Sequence, residues 1–331
     1  MSKQIKFSKR QWIAGASRCM LPLLLAGVAL PAAAKNSNAY VANQANNTVS
    51  VINTANNSVS ATVTVGTNPA AVAVSPQGQQ VYVANFSSNN VSVIDASSNT
   101  ISATVAVGSS PTAIAITPNG ADAYVANSNA NDVSVIDTAS NTVIATIPVG
   151  NIPSGIAVNP DGAHVYVTNE QDGTLSVIDT GTNAVTATVT VGSNPFGVTV
   201  GPFGERVYVA NFGSNNVSVI NASNNTVTAT YAAGSGANAV AVGPFGGRLY
   251  VANYNDNTVS VLNALNGKTV ATVPVGTAPQ SEAMSADGTH LYVANIDSAN
   301  TSVISTGNDT VTSTVAVGNS PAAVATQPGC P

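Results

Sequence analysis

Residues 40–81 read YVANQANNTVSVINTANNSVSATVTVGTNPAAVAVSPQGQQV, and their internal grammar decides the fold. The runs QQVYVAN, TVSVIN, SVSATVTV and PAAVAVS are rich in Val, Ile, Thr and Tyr, the side chains that fit a pleated sheet. Between them stand QANN, TANN, GTN and SPQG, where Asn, Gly and Pro supply turn geometry. In SPQG, Pro76 suits the second position of a type I turn and Gly78 the fourth. Each such stretch is therefore expected to form four short antiparallel strands in a meander. The stretch repeats: YVAN recurs at Tyr40, Tyr82, Tyr124, Tyr208, Tyr250 and Tyr292, with YVTN at Tyr166, and every step is 42 residues.

A period of this length holding four strands is the signature of a propeller blade. On its seven YVAN and YVTN motifs the sequence resembles the YVTN family of β-propeller repeats, known from surface-layer proteins and periplasmic propellers, over residues 39–327. The resemblance implies that PAAVAVS is the innermost strand, VYVAN the second, TVSVI the third and SATVTV the outermost. It implies little about activity, because a shared blade does not carry a shared reaction. The repeats open in a second strand at Ala39 and close on SPAAVAT at 320–326, an inner strand with no YVAN after it. The expected fold is thus an all-β, seven-bladed propeller of four-stranded antiparallel blades, with the C-terminal strand completing the first blade. An open β-solenoid is the rival, but solenoids need atypical capping repeats, whereas these termini are complementary parts of one blade.

Ahead of the repeats lies a different kind of sequence. Lys3, Lys6, Lys9, Arg10 and Arg18 precede the apolar CMLPLLLAGVALP and the small residues AAAK, the order of a secretory signal, with cleavage expected after Ala34. The apolar run is too short to span a bilayer. Residues 1–34 are therefore read as a signal peptide and 35–331 as the propeller of an exported periplasmic, secreted or cell-surface protein with no transmembrane segment once the signal is removed. Without the signal, four Lys and Arg face fourteen Asp and Glu, a net charge of −10. Cys19 leaves with it, and Cys330 stands alone near the C terminus, as a tail residue or for intermolecular pairing.

Stacking the copies gives each residue a place on the ring. Loops after YVAN and loops of the VGTNP type share one face, the top; SPQG and TANN turns share the bottom. The asparagines that end the second strands, Asn43, Asn85, Asn127, Asn169, Asn211, Asn253 and Asn295, occur in every copy and are read as structural, bonding loop backbone. Asp132, Glu170, Asp172, Asp256, Glu282 and Asp297 map to the top or upper channel, while Arg206, Arg248 and Lys268 map to the bottom. A top face with acids and no cations disfavours nucleic acid and favours a cationic group, Ca²⁺ or a neutral polar ligand. Phe86, Phe212 and Tyr254 follow three of the YVAN motifs, positioned to stack on a sugar or peptide or to pack their own loops. Phe203 and Phe245, in matching GPFG turns, are read as covering those turns, with a partner patch as the alternative.

Inner strand PQSEAMSADG at 279–288 breaks its columns. Glu282 stands where the other copies have Val72, Ile114, Ile156, Val198, Val240 and Val324, and Gln280 and Met284 depart too. An unpaired carboxylate in a packed interior costs several kcal/mol or takes up a proton. Glu282 is therefore expected either to reach water at the channel mouth or to mark a binding site. The binding residues expected are Glu282, Gln280, Glu170, Asp172, Asp256, Phe86, Phe212 and Tyr254, with no catalytic and no metal-ligating set. His164 and His290 lie three blades apart in one column, too far to share a zinc ion; NDN at 255–257 offers oxygens but no calcium motif. The leading expectation is a monomeric, noncatalytic scaffold that binds a protein, peptide or glycan on its top face. The alternatives are a lyase or lactonase acting at the channel mouth, and a surface-layer component.

Overall fold

The computed structural model describes residues 37–328; the signal segment, its expected cleavage point and Cys330 lie outside them. The described residues form 28 β-strands and no helix. They make seven four-stranded antiparallel sheets. Blade 1 combines Asn38–Asn43, Thr48–Asn53 and Ser58–Thr64 with Pro321–Thr326, and blades 2 to 7 follow as residues 69–106, 111–148, 153–190, 195–232, 237–274 and 279–316. The closing strand Pro321–Thr326 pairs with Asn38–Asn43 in the register Tyr40 to Ala325 and Val41 to Val324. It also packs against the inner strands Pro69–Val74 and Pro279–Met284, so the ring closes as a three-plus-one clasp.

Burial follows from each strand's place. The second strand lies in the middle of a sheet that is itself sandwiched between two others, so consecutive residues such as Val81, Tyr82, Val83 and Ala84 are all buried. All seven motif tyrosines are out of solvent. Each forms part of an apolar cluster that joins two neighbouring blades: Tyr40 packs with Val81, Val83 and Ile94 of blade 2, and Tyr250 with Leu291, Val293 and Ile304 of blade 7. Each fully buried Val, Ile or Leu contributes about 2 kcal/mol, and these seams hold the blades face to face. The outer strand needs a single anchor, such as Val63 or Val105, and shows the rest to water. No helix among the described residues is long and apolar enough to cross a membrane.

Candidate functional site

The top face rests on a repeated frame. Every strand-ending asparagine sends its Nδ2 to the side chain five residues on and to the serine hydroxyl seven residues on, as Asn211 does to Asn216 at 2.8 Å and Ser218 at 2.9 Å. The amide therefore links strands chiefly through side chains, where loop backbone was expected; Asn169, Asn211 and Asn253 also accept the N–H of Gly150, Gly192 and Gly234. The glycine is obligatory: a Cβ on Gly192 would lie 2.5 Å from the Asn211 side chain. Asn211→Ala strands these buried partners and is expected to cost about 2 kcal/mol, read as a lowered midpoint in chemical denaturation.

Against sevenfold repetition, departures locate a sector. At the second position of the inner strand the chain has Ala70, Thr112, Ser154, Phe196, Asn238, Gln280 and Ala322; after the motif asparagine it has Gln44, Phe86, Ser128, Glu170, Phe212, Tyr254 and Ile296. Blades 4 to 6 hold the large and charged members that meet. Phe212 lies 6.4 Å from Phe196 at an interplanar angle of 49°, and 6.0 Å from Tyr254 at 64°. Sequence reasoning missed Phe196; its signal is a phenylalanine in a column of small and polar residues. The backbone makes room for it: a Cβ on Gly155 would meet the Phe196 carbonyl oxygen and one on Gly197 the Asn238 carbonyl oxygen, so the inner strands of blades 4, 5 and 6 approach closely. Thr168, the threonine that makes the one YVTN, is fully buried and ties this seam. Its hydroxyl donates to the Phe196 carbonyl at 2.7 Å and accepts from the Gly155 N–H at 2.7 Å.

Glu170 occupies the Phe212 column on the neighbouring blade 4. Asn194 stands between the two: its side chain is near enough to the Glu170 carboxyl to lower its pKa, and its carbonyl accepts the Phe212 N–H at 2.9 Å. Half-burial pushes the Glu170 carboxyl above the usual range, and Asn194 offsets this in part. Asp172 and Asp256 brace loops: they accept the N–H of Asn151 and of Ser235, each at 2.7 Å. Ser214 performs the same task for Ser193. These bonds hold the Asp172 carboxyl below its ordinary value. In NDN, Asn257 likewise accepts the Ala278 N–H, so two of that loop's side-chain oxygens are committed to backbone. Asp132 accepts from Asn127, and Asp297 is exposed. Phe86, on blade 2, has no ring partner among the described residues.

The Gln280 carbonyl accepts the Asn238 amide at 2.6 Å across the seam of blades 6 and 7. Glu282 corrects the expectation that it reaches water. Both its carboxylate oxygens are buried and without a hydrogen-bond partner. Met284, two residues on, packs into the cluster of Ala241, Tyr250 and Leu291, and Glu282 faces the same seam, beside the Ala241 backbone and Tyr250. Burial pushes its carboxyl well above the ordinary 4.5, with little offset from Ala241. The residue as a whole is half-buried while its carboxylate oxygens are buried, which favours the protonated form.

On the bottom, Arg206 donates to the Ala264 carbonyl at 3.1 Å and Arg248 pairs with Asp309 at 2.6 Å, so both cations tie one blade to the next. Phe203 and Phe245 are 75% and 87% exposed, a correction of the turn-covering reading, of which there remains only the Phe203 ring edge near Gly246. His164 and His290 begin second strands at the bottom. Two open grooves, of about 450 Å³ beside Asn169 and Asp172 and about 550 Å³ between Pro118 and Asp161, include neither the aromatic rings nor Glu282.

A family model described as YNCE-like beta-propeller matches residues 11–331. Among curated proteins none matches the sequence. Many solved structures are similar, among them the following three. Hydrazine synthase of Kuenenia stuttgartiensis is 24% identical with a TM-score of 0.72, the alignment covering 79% of this chain and 91% of that one. A protein of unknown function from Desulfotomaculum acetoxidans is 19% identical at 0.78, covering 88% and 99%. A candidate 6-phosphogluconolactonase of Bacteroides uniformis is 18% identical at 0.76, covering 88% and 100%. At these identities the likeness is one of fold alone.

Proposed function

The chain belongs to the YNCE-like beta-propeller family, and on that footing we propose that it is an exported, noncatalytic binding scaffold that takes a ligand or partner on its top face, over blades 4 to 6. The observation that carries this reading is the contact of Phe196, Phe212 and Tyr254, half-buried rings from two adjacent blades, with the half-buried Glu170 in the Phe212 column of the neighbouring blade 4. In a sevenfold repeat the architecture asks for none of these residues, since the other copies fold with Gln44, Ser128, Ala70 or Ala322 in the same columns. Large aromatic side chains grouped on one rim are the usual anchors of recognition.

Two observations weigh toward binding over catalysis. A general acid or base must come within hydrogen-bond reach of its substrate, and the inner-strand acid Glu282 is sealed between blades. The histidines, at the bottom ends of blades 4 and 7, are remote from the top rim. Export is supported by the charged, apolar and small-residue order of residues 1–34.

A thermal-shift screen against amines, glycans and peptides, run on exported protein whose N terminus begins near Lys35, tests the reading. A class of ligand is expected to raise the melting temperature of the parent and of Phe86→Ala, and to lose that effect in the Phe196→Ala, Phe212→Ala, Tyr254→Ala triple variant. Stabilisation that survives in the triple variant would place binding elsewhere on the molecule.

A further inference from the structure

We propose that the patch formed by Phe196, Phe212, Tyr254 and Glu170 binds a compact organic cation, a protonated or quaternary amine, an inference that rests on the top-face reading above. Three features converge on that class. The rings meet at 49° and 64°. Their faces are therefore not coplanar and make diverging walls, whereas a sugar ring or other flat ligand asks for a continuous floor. A compact cation can touch two such walls at once, drawn by the negative face of each ring.

Glu170 supplies the second feature. It is half-buried near Asn194, whose carbonyl accepts the Phe212 N–H, and it makes no salt bridge among the described residues, where Arg248 to Asp309 is the pair formed. A partly desolvated carboxylate on the same rim as aromatic faces is complementary to a positive charge and repels an anion. The third feature is the field around it. Asp132, Asp172, Asp256 and Asp297 lie on the same face, and the described cations Arg206, Arg248 and Lys268 are on the opposite one.

The test compares choline with its uncharged isostere, in which a tert-butyl group replaces the trimethylammonium, by calorimetric titration of the full chain at low salt. Choline is expected to bind about tenfold more tightly than the isostere. Phe212→Leu keeps the apolar volume and removes the aromatic face; it is expected to weaken choline about tenfold while leaving the isostere within about twofold. Glu170→Gln is expected to weaken choline several-fold and the isostere not at all. Each variant is first shown to melt as the parent does. Equal binding of the two probes, choline binding indifferent to both substitutions, or no choline binding would each overturn the inference. If a neutral glycan or peptide from the screen still loses its effect in the aromatic triple variant, the top-face reading stands and the cation assignment alone fails.

Discussion

Deletion of residues 319–331 is expected to remove cooperative stability from the whole ring and not from one blade. The strand Pro321–Thr326 is the inner strand of blade 1, paired along Asn38–Asn43 and buried at Ala322, Ala323 and Val324. Ala323 packs into the seam with blade 2 and Val324 into the seam with blade 7. Beyond the strand, Gln327 donates its N–H to the Asn38 carbonyl at 2.8 Å and its Nε2 to the Gly78 carbonyl at 2.6 Å. Losing it leaves the edge of Asn38–Asn43 unpaired, which invites association with other chains, and deprives two seams of their apolar partners. A fall in melting temperature of at least about 10 °C is expected, with aggregation on heating. For a case in which the deletion leaves no folded protein to measure, Val324→Glu provides a graded version. It places in the clasp the residue that blade 7 carries in the same column, at a cost of several kcal/mol if ionised. A deleted chain that melts with the parent would show that the ring does not depend on its clasp.

That clasp was legible before any coordinates because it follows from counting. Six steps of 42 residues carry the motif from Tyr40 to Tyr292, so the repeats open one inner strand short of a blade and close on one inner strand left over. Periodicity reports which positions the architecture demands, and so it also exposed the asparagine column and the oddity of Glu282. It could not report which way a side chain points. Glu282 and the exposed Phe203 show the two directions of that error: a carboxylate expected to reach water or a ligand has its oxygens buried in a seam, and one apolar residue assigned to packing is 75% exposed. Asp172 and Asp256 looked like free acids, yet Ser88, Ser214 and Ser298 occupy their column and accept the same loop N–H groups. The alternation of Asp with Ser was the available sign that the position needs an acceptor oxygen, not a charge. Phe196 was hidden because its meaning lies in contacts to Phe212 and through it to Tyr254, a relation between columns that reading down one column does not reveal.

The second large effect concerns Glu282, and its sign is set by linkage. The carboxyl is buried without a hydrogen-bond partner, and its folded value is raised well above the 4.5 it has when exposed. The folded chain therefore holds a proton that the unfolded chain has released, and stability falls as pH rises from about the unfolded value toward the folded one. The slope is about −1.4 kcal/mol per pH unit across that window. Groups facing the carboxyl from the packed elements do not cancel it. Tyr250 of blade 6 is itself raised by burial and stays neutral, the inner strand Ala237–Val242 carries no titratable side chain, and Arg248 is committed to Asp309. The acids whose values are lowered by hydrogen bonds, Asp95 to about 2 with Asp137, Asp172 and Asp179, act below the ordinary carboxylate range and with the opposite sign. Glu170 and Asp122, raised by burial, share the sign of Glu282, so the difference between parent and Glu282→Gln isolates the one residue. Denaturant unfolding between about pH 5 and 8 should show the parent losing stability with rising pH relative to Glu282→Gln. Glu282→Val, which restores the residue of the other blades, should be more stable than the parent by about 2 kcal/mol at neutral pH. Parallel pH profiles for the parent and the Gln variant would mean that the carboxylate finds water or a partner when it ionises. The seam between blades 6 and 7 would then be open enough to admit one, and Glu282 would return to the residues that a ligand could reach.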